Sequence, residues 1–152
     1  MVQPLEKVDR RDAKLALAHL FVAFIALGLG GFAGLLQTLV RSGKFELPGG
    51  ISYYTILTTH GVLLGLVLTT FFIIGFQFAA VSRTAGAFTD STRRVGWIGF
   101  WLMTIGTAMS AFFILTGQAA VLYTFYAPLQ AHAGFYIGLA LVVVGSWVSG
   151  FA

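Results

Sequence analysis

Four long apolar stretches decide what this chain can fold into. They run over Leu15–Val40, Ile51–Val81, Val95–Thr116 and Ala131–Ala152. Each reaches or exceeds the roughly 20 residues a helix needs to cross a bilayer core. In hydrocarbon every backbone N–H and C=O must be satisfied internally, so only helices and closed barrels span it. The runs lack the two-residue alternation of barrel strands. The predicted fold is therefore all-α: a single integral-membrane domain over 1–152, a bundle of four transmembrane helices. Composition agrees, with 58% hydrophobic and 9% charged residues against about 25% charged in soluble domains. This excludes a soluble globular domain, a disordered tail and a nucleic-acid binder, which would cluster its Lys and Arg.

The connections are short, and their charges predict orientation. Arg41–Gly50 carries the turn signal Pro48-Gly49-Gly50, Ser82–Arg94 is polar and basic, and Gly117–Gln130 has no charge. Lys7, Arg10, Arg11 and Lys14 precede the first run, and Arg83, Arg93 and Arg94 lie between the second and third. Only Arg41 and Lys44 lie on the other side. The positive-inside rule then puts the N- and C-termini and the second connection in the cytoplasm. Tyr53, Tyr54, Tyr123 and Tyr126 fall near the outer face, Trp97 and Trp147 towards the inner one. The third connection, Val121–Leu129, is too apolar for an exposed loop and is expected to rest on the protein or in the interface. The first run is too long for a signal-peptide core, so no cleaved leader is expected. The last run reaches Ala152 with no basic anchor, which suggests the N-terminal portion of a longer protein; a four-span subunit ending there is the alternative.

Chemistry must come from few residues. With no cysteine, disulfides, iron–sulfur clusters, covalently attached c-type haem and thiolate metal sites are excluded. All five acids lie outside the runs or at their edges, which removes paired-carboxylate catalysis. Three histidines remain: His19, His60 and His132. His60 lies about nine residues into the second run, about 13 Å along a helix. Gly61 and Gly65 beside it leave room for a flat ligand, and neutral imidazole is a standard haem-iron ligand. The alternative is a histidine hydrogen-bonded to a neighbouring helix. His19, one turn into the first run, reads as an interfacial or packing residue. His132 lies too near the surface to share one iron with His60. Gly30/Gly34, Gly61/Gly65 and Gly134/Gly138 form small-xxx-small pairs that suit helix packing or a porphyrin. Gln37 reads either as an amide at a cofactor edge or as an interfacial group touching its own connection.

Three segments resemble subunit I of the haem–copper oxygen reductases. Ser52-Tyr53-Tyr54-Thr55-Ile56-Leu57-Thr58-Thr59-His60-Gly61-Val62-Leu63 is similar to that family's second helix. Val121-Leu122-Tyr123-Thr124-Phe125-Tyr126-Ala127-Pro128-Leu129 is similar to its third connection, with Ala127 where the first of two family prolines stands. Gly31-Phe32-Ala33-Gly34-Leu35-Leu36-Gln37 is similar to the end of its first helix. Within the family the chain looks most like the B-type cytochrome c oxidases. Gln37 stands where A-type enzymes carry an arginine, and the surroundings of Asp90 do not match the A-type proton-entry loop.

The resemblance implies that His60 is an axial ligand of a low-spin haem, expected to be b-type, and that Gln37 and Gly34 border that cofactor. It implies that Tyr126 lies near the oxygen route. The high-spin haem and copper of the full enzyme would take their ligands from outside this chain. Expected partners are the remainder of subunit I, oxidase subunit II, a cytochrome c-type electron donor and the lipid bilayer of a prokaryotic plasma membrane, with no nucleic acid. The implied activity is oxygen reduction to water with proton pumping. A nitric oxide reductase-like haem subunit and a non-catalytic four-helix subunit are the alternatives.

Overall fold

The computed structural model describes residues 9–122, 124–125 and 127–152. Four helices are long and apolar enough to cross a membrane: α1 (Arg10–Arg41), α2 (Tyr53–Thr84), α3 (Asp90–Leu115) and α4 (Ala133–Gly150). They match the four expected runs, with ends displaced by up to five residues. Local chemistry sets those ends. The Asp9 side chain caps α1 by accepting from the Arg11 N–H at 2.7 Å, so the helix begins five residues before its apolar run. Ser52 caps α2 in the same way through the Tyr54 N–H at 3.2 Å. Thr89 caps α3 through the Thr92 N–H at 3.1 Å, and His132 caps α4 through the Gly134 N–H at 3.0 Å. Each cap satisfies a donor that the first helical turn leaves open.

One departure from regularity lies inside α2. Residues Leu63–Leu68 form a π-helical segment between Tyr53–Val62 and Thr69–Thr84. The wider turn disturbs the carbonyl ladder. Thr69 donates its hydroxyl to the Gly65 carbonyl at 2.8 Å and Thr70 to the Leu66 carbonyl at 2.6 Å. Such bulges are rare and often mark functional positions.

Helix α1 packs along α2, α3 packs along α4, and the two hairpins meet over a shared core. Phe71, Met103, Phe135, Val121 and Val142 are fully buried there. The outer faces are as apolar as the core: Phe21, Phe24, Phe32, Trp101, Leu115 and Trp147 are all exposed. Large apolar side chains on both the inner and outer faces fit a multi-pass membrane bundle.

The seam between α3 and α4 is the tightest. A Cβ at Gly138 would run into Gly106 and Ser110, and one at Gly145 would run into Gly99 and Met103. Gly138 therefore serves helix packing, and Gly134 faces the Phe113 ring. Gly99, Gly106 and Gly145, which the spacing argument did not single out, form the rest of this seam.

Among the described residues only the ends of the third connection rest on the protein: Leu122 and Leu129 are half-buried, whereas Thr124, Phe125, Ala127 and Pro128 between them are exposed. Ala119 and Val121 are fully buried. The loop closes on itself through the His132 N–H, which donates to the Gln118 carbonyl at 2.8 Å.

Candidate functional site

The site grows from the second turn of α2. Thr58 and Thr59 fold their hydroxyls back onto the Tyr54 and Thr55 carbonyls at 2.7 and 2.8 Å. That satisfies both hydroxyl donors within the helix, and His60 is the group of the three that reaches α1. The His60 Nδ1 lies 2.8 Å from the Gly30 carbonyl of α1. A carbonyl only accepts, so Nδ1 is the donor, and in the neutral ring Nε2 then keeps its lone pair. This is the arrangement in which one ring nitrogen is anchored and the other is free to bind a metal.

Glycine makes the anchor possible. A Cβ at Gly34 would lie 2.7 Å from both Cε1 and Nδ1 of His60, and one at Gly30 would lie 2.7 Å from the Leu64 side chain. Any larger residue at Gly34 would occupy the space of the imidazole. The GxxxG pair in α1 thus receives the histidine of α2 together with the start of the π segment.

His60 lines an apolar cleft of about 260 Å³ with Leu57, Gly61, Leu64, Gly65 and Leu122. A second cleft of about 330 Å³ shares Gly65 and runs between α2 and α4, past Phe125, Leu139 and Val143. Leu122 joins the first cleft from the third connection, where its backbone has φ 61°. Its N–H donates to the Thr58 hydroxyl at 2.8 Å. A leucine in the left-handed region is strained. The hydrogen bond to Thr58 holds it there, over the helix that carries His60.

The structure brings His60 and Gly34 into contact. Gln37 is half-buried, on the face of α1 that carries Gly30, and makes no hydrogen bond among the described residues. Tyr126 lies outside the described residues. His19 is fully buried among the rings of Phe71, Phe78 and Phe100, with Nδ1 2.9 Å from the Leu15 carbonyl. It is a packing residue, as expected, but in the bundle interior. His132 is occupied as the cap of α4 and stacks on Phe113 at 4.4 Å. The sequence argument found the GxxxG in α1 and missed its use: the Gly30 carbonyl as the imidazole's acceptor.

A second polar cluster lies at the basic end of the bundle. Asp12 is fully buried. It accepts from the Arg93 Nε and from the Phe88 N–H. Arg93 also reaches Asp90 at 2.8 Å and Asp9 at 3.2 Å, and Arg11 bridges Asp9 and Asp90. Asp90 is thus an ion-pair partner that ties the start of α3 to the start of α1.

Residues 14–152 match the family described as cytochrome c and quinol oxidase polypeptide I. Cytochrome c oxidase subunit 1 of Thermus thermophilus is 34% identical over 145 residues, which cover 91% of this chain and 25% of that protein. A heme-copper oxidase subunit I+III of Aeropyrum pernix is 27% identical over 125 residues, 81% of this chain and 15% of that one. A probable quinol oxidase subunit 1 of Staphylococcus haemolyticus is 28% identical over 139 residues, 90% of this chain and 21% of that one. A heme-copper terminal oxidase dimer solved by cryo-EM contains a chain that is 40% identical, with a TM-score of 0.85 over 95% of this chain and 25% of that one. This chain spans about a quarter or less of the length of these relatives. The match over nearly all of its residues, in sequence and in backbone, shows that the chain belongs to the subunit I family of the haem–copper oxidases.

Proposed function

We propose that this chain forms the part of a haem–copper oxygen reductase subunit I that supplies one axial ligand of the low-spin haem. The observation that carries the proposal is the anchoring of His60 Nδ1 on the Gly30 carbonyl at 2.8 Å, which leaves Nε2 for iron. The apolar lining of the adjoining cleft fits a porphyrin face, and its glycines, Gly61 and Gly65, keep bulk away from it. A haem held there supplies a one-electron carrier; the chain's part is to bind it, orient it and keep water out. His60 sets the ligand direction through its bond to α1. Gly34 gives the imidazole its room. Leu57, Leu64 and Leu122 exclude solvent, and a dry pocket with an anchored axial ligand are two of the levers that tune a haem potential. Gln37 borders the haem edge, where its amide finds the partner that a buried amide needs. The resemblance alone assigns Tyr126 to the oxygen route.

In this reading residues 1–152 are one membrane domain and both termini face the cytoplasm of a prokaryotic cell. The remainder of subunit I supplies the second haem histidine and the ligands of the high-spin haem and copper. A cytochrome c delivers electrons through subunit II, and oxygen is reduced to water with proton pumping. The glutamine at position 37 and the phrase Tyr123-Thr124-Phe125-Tyr126 support the B-type subgroup.

His60→Leu in the intact oxidase tests the proposal. Leucine keeps α2 apolar and insertable, so the protein should reach the membrane in normal amount. The low-spin haem band should vanish from the reduced-minus-oxidised spectrum. An unchanged band in well-inserted protein would overturn the assignment.

A further inference from the structure

We infer that Thr58 is a positioning residue for the low-spin haem: its hydroxyl holds Leu122 of the third connection as one wall of the cleft beside His60. The inference rests on the reading of His60 as a haem ligand and deepens it.

Thr58 is fully buried, and its hydroxyl is engaged both ways. It donates to the Tyr54 carbonyl at 2.7 Å and accepts from the Leu122 N–H at 2.8 Å. The first bond fixes the direction of the hydroxyl proton and so turns a lone pair outward, to the loop. Serine can do the same; valine has the shape of threonine and no oxygen. Positions 58 and 60 stand about 200° apart around an α-helix. Thr58 accordingly meets the third connection while His60 meets α1.

Leu122 needs such a clamp. The base of the connection is tied separately, by the pairing of Ala119 with Ala131 and by the His132 N–H on the Gln118 carbonyl. Past the buried Val121 the chain turns through Leu122 at φ 61°. Leucine keeps that conformation only where its surroundings hold it, and residues held in this way recur at ligand clamps. The Leu122 side chain lines the cleft with His60, Gly61 and Leu64. Phe125, also left-handed at φ 53°, lines the second cleft, and Gly65 belongs to both. The two strained residues of the connection thus each wall one cleft.

Loss of the clamp has an electrostatic consequence. A cleft walled by carbon disfavours the net positive ferric state, and water admitted beside His60 favours it. Thr58 acts on the haem only through Leu122.

Hydrogen–deuterium exchange and redox titration of the intact oxidase test this. Thr58→Val should speed exchange at the Leu122 amide about tenfold. It should also shift the low-spin haem about tenfold towards the ferric state, a midpoint lower by about 59 mV. Thr58→Ser, which keeps the oxygen, should restore both readings. Thr59→Val removes a hydroxyl that bonds only the Thr55 carbonyl of its own helix among the described residues, and should leave both at wild type. In a Leu122→Gly background the turn needs no clamp and the wall is already gone, so Thr58→Val should add little to the midpoint shift. An unmoved midpoint in Thr58→Val would overturn the proposal. So would additive shifts in the double variant, or an equal shift in Thr59→Val. His60→Leu keeps the two failures apart. Retention of the low-spin band there sinks the haem reading itself, whereas its loss there with an unmoved midpoint in Thr58→Val sinks only the role of Thr58.

Discussion

Imidazole has two nitrogens, and a neighbour that engages one decides what the other can do. The Gly30 carbonyl engages Nδ1 of His60 at 2.8 Å, and Gly34 leaves the ring its space. Gly34→Ala should therefore act on His60 without touching it in sequence. The added methyl would lie 2.7 Å from Cε1 and Nδ1, so the ring must move off its acceptor. Thermal unfolding should report an overpacking cost of about 1–3 kcal/mol, and the low-spin haem band should shift or broaden. Gly31→Ala is the control: nothing lies within 4 Å of the added Cβ, and both readings should stay at wild type.

At the scale of elements, the starts of α1 and α3 are joined by charge. Asp12 is fully buried against Arg93, so removing Arg93 strands its carboxylate in a low-dielectric site, whereas removing Asp12 leaves Arg93 with Asp9 and Asp90. Asp12→Leu and Arg93→Met should each lower the unfolding midpoint in detergent. The double variant should recover much of the loss, because an apolar pair carries no desolvation penalty. The same cluster has an acid limit. The Arg11 N–H, followed by the guanidinium groups of Arg11 and Arg93, holds the Asp9 carboxyl below its usual value of 3.8, against a smaller opposing effect of burial. A carboxylate with a lowered folded value contributes fully above its unfolded value and loses that contribution as pH falls through the folded one. Unfolding midpoints should therefore show no Asp9 contribution to pH dependence between about pH 5 and 8. Below the usual carboxylate value wild type should lose more stability than Asp9→Asn.

For the whole molecule, the orientation in the bilayer is open to direct measurement because the chain has no native cysteine. Glu46 and Ala87 are exposed, one in the first connection and one in the second. With the N-terminus in the cytoplasm, Glu46→Cys should react with a membrane-impermeant maleimide added to intact cells. Ala87→Cys should react only after lysis. The reverse pattern would invert the topology and place the Arg94 end of α3 in the outer leaflet.

Length and hydropathy were enough to specify four helices long and apolar enough to span a bilayer, because a bilayer leaves the backbone so few ways to satisfy its hydrogen bonds. The same scarcity of polar groups made His60 legible. One histidine deep in an apolar run is conspicuous, and the GxxxG of α1 was visible beside it. Other features needed the tertiary structure. Nothing in the periodicity of Leu63–Leu68 distinguishes a π turn from an α turn. Asp12 reads from sequence as one of several charges before a span. Only folding buries it, because Arg93 and the Phe88 N–H, distant in the chain, converge on it. The sequence could pose two roles for His60, ligand or helix-packing hydrogen bond, as alternatives. In the folded chain they are compatible: one nitrogen makes the hydrogen bond and the other stays free, a division fixed by the position of a carbonyl 30 residues away along the chain.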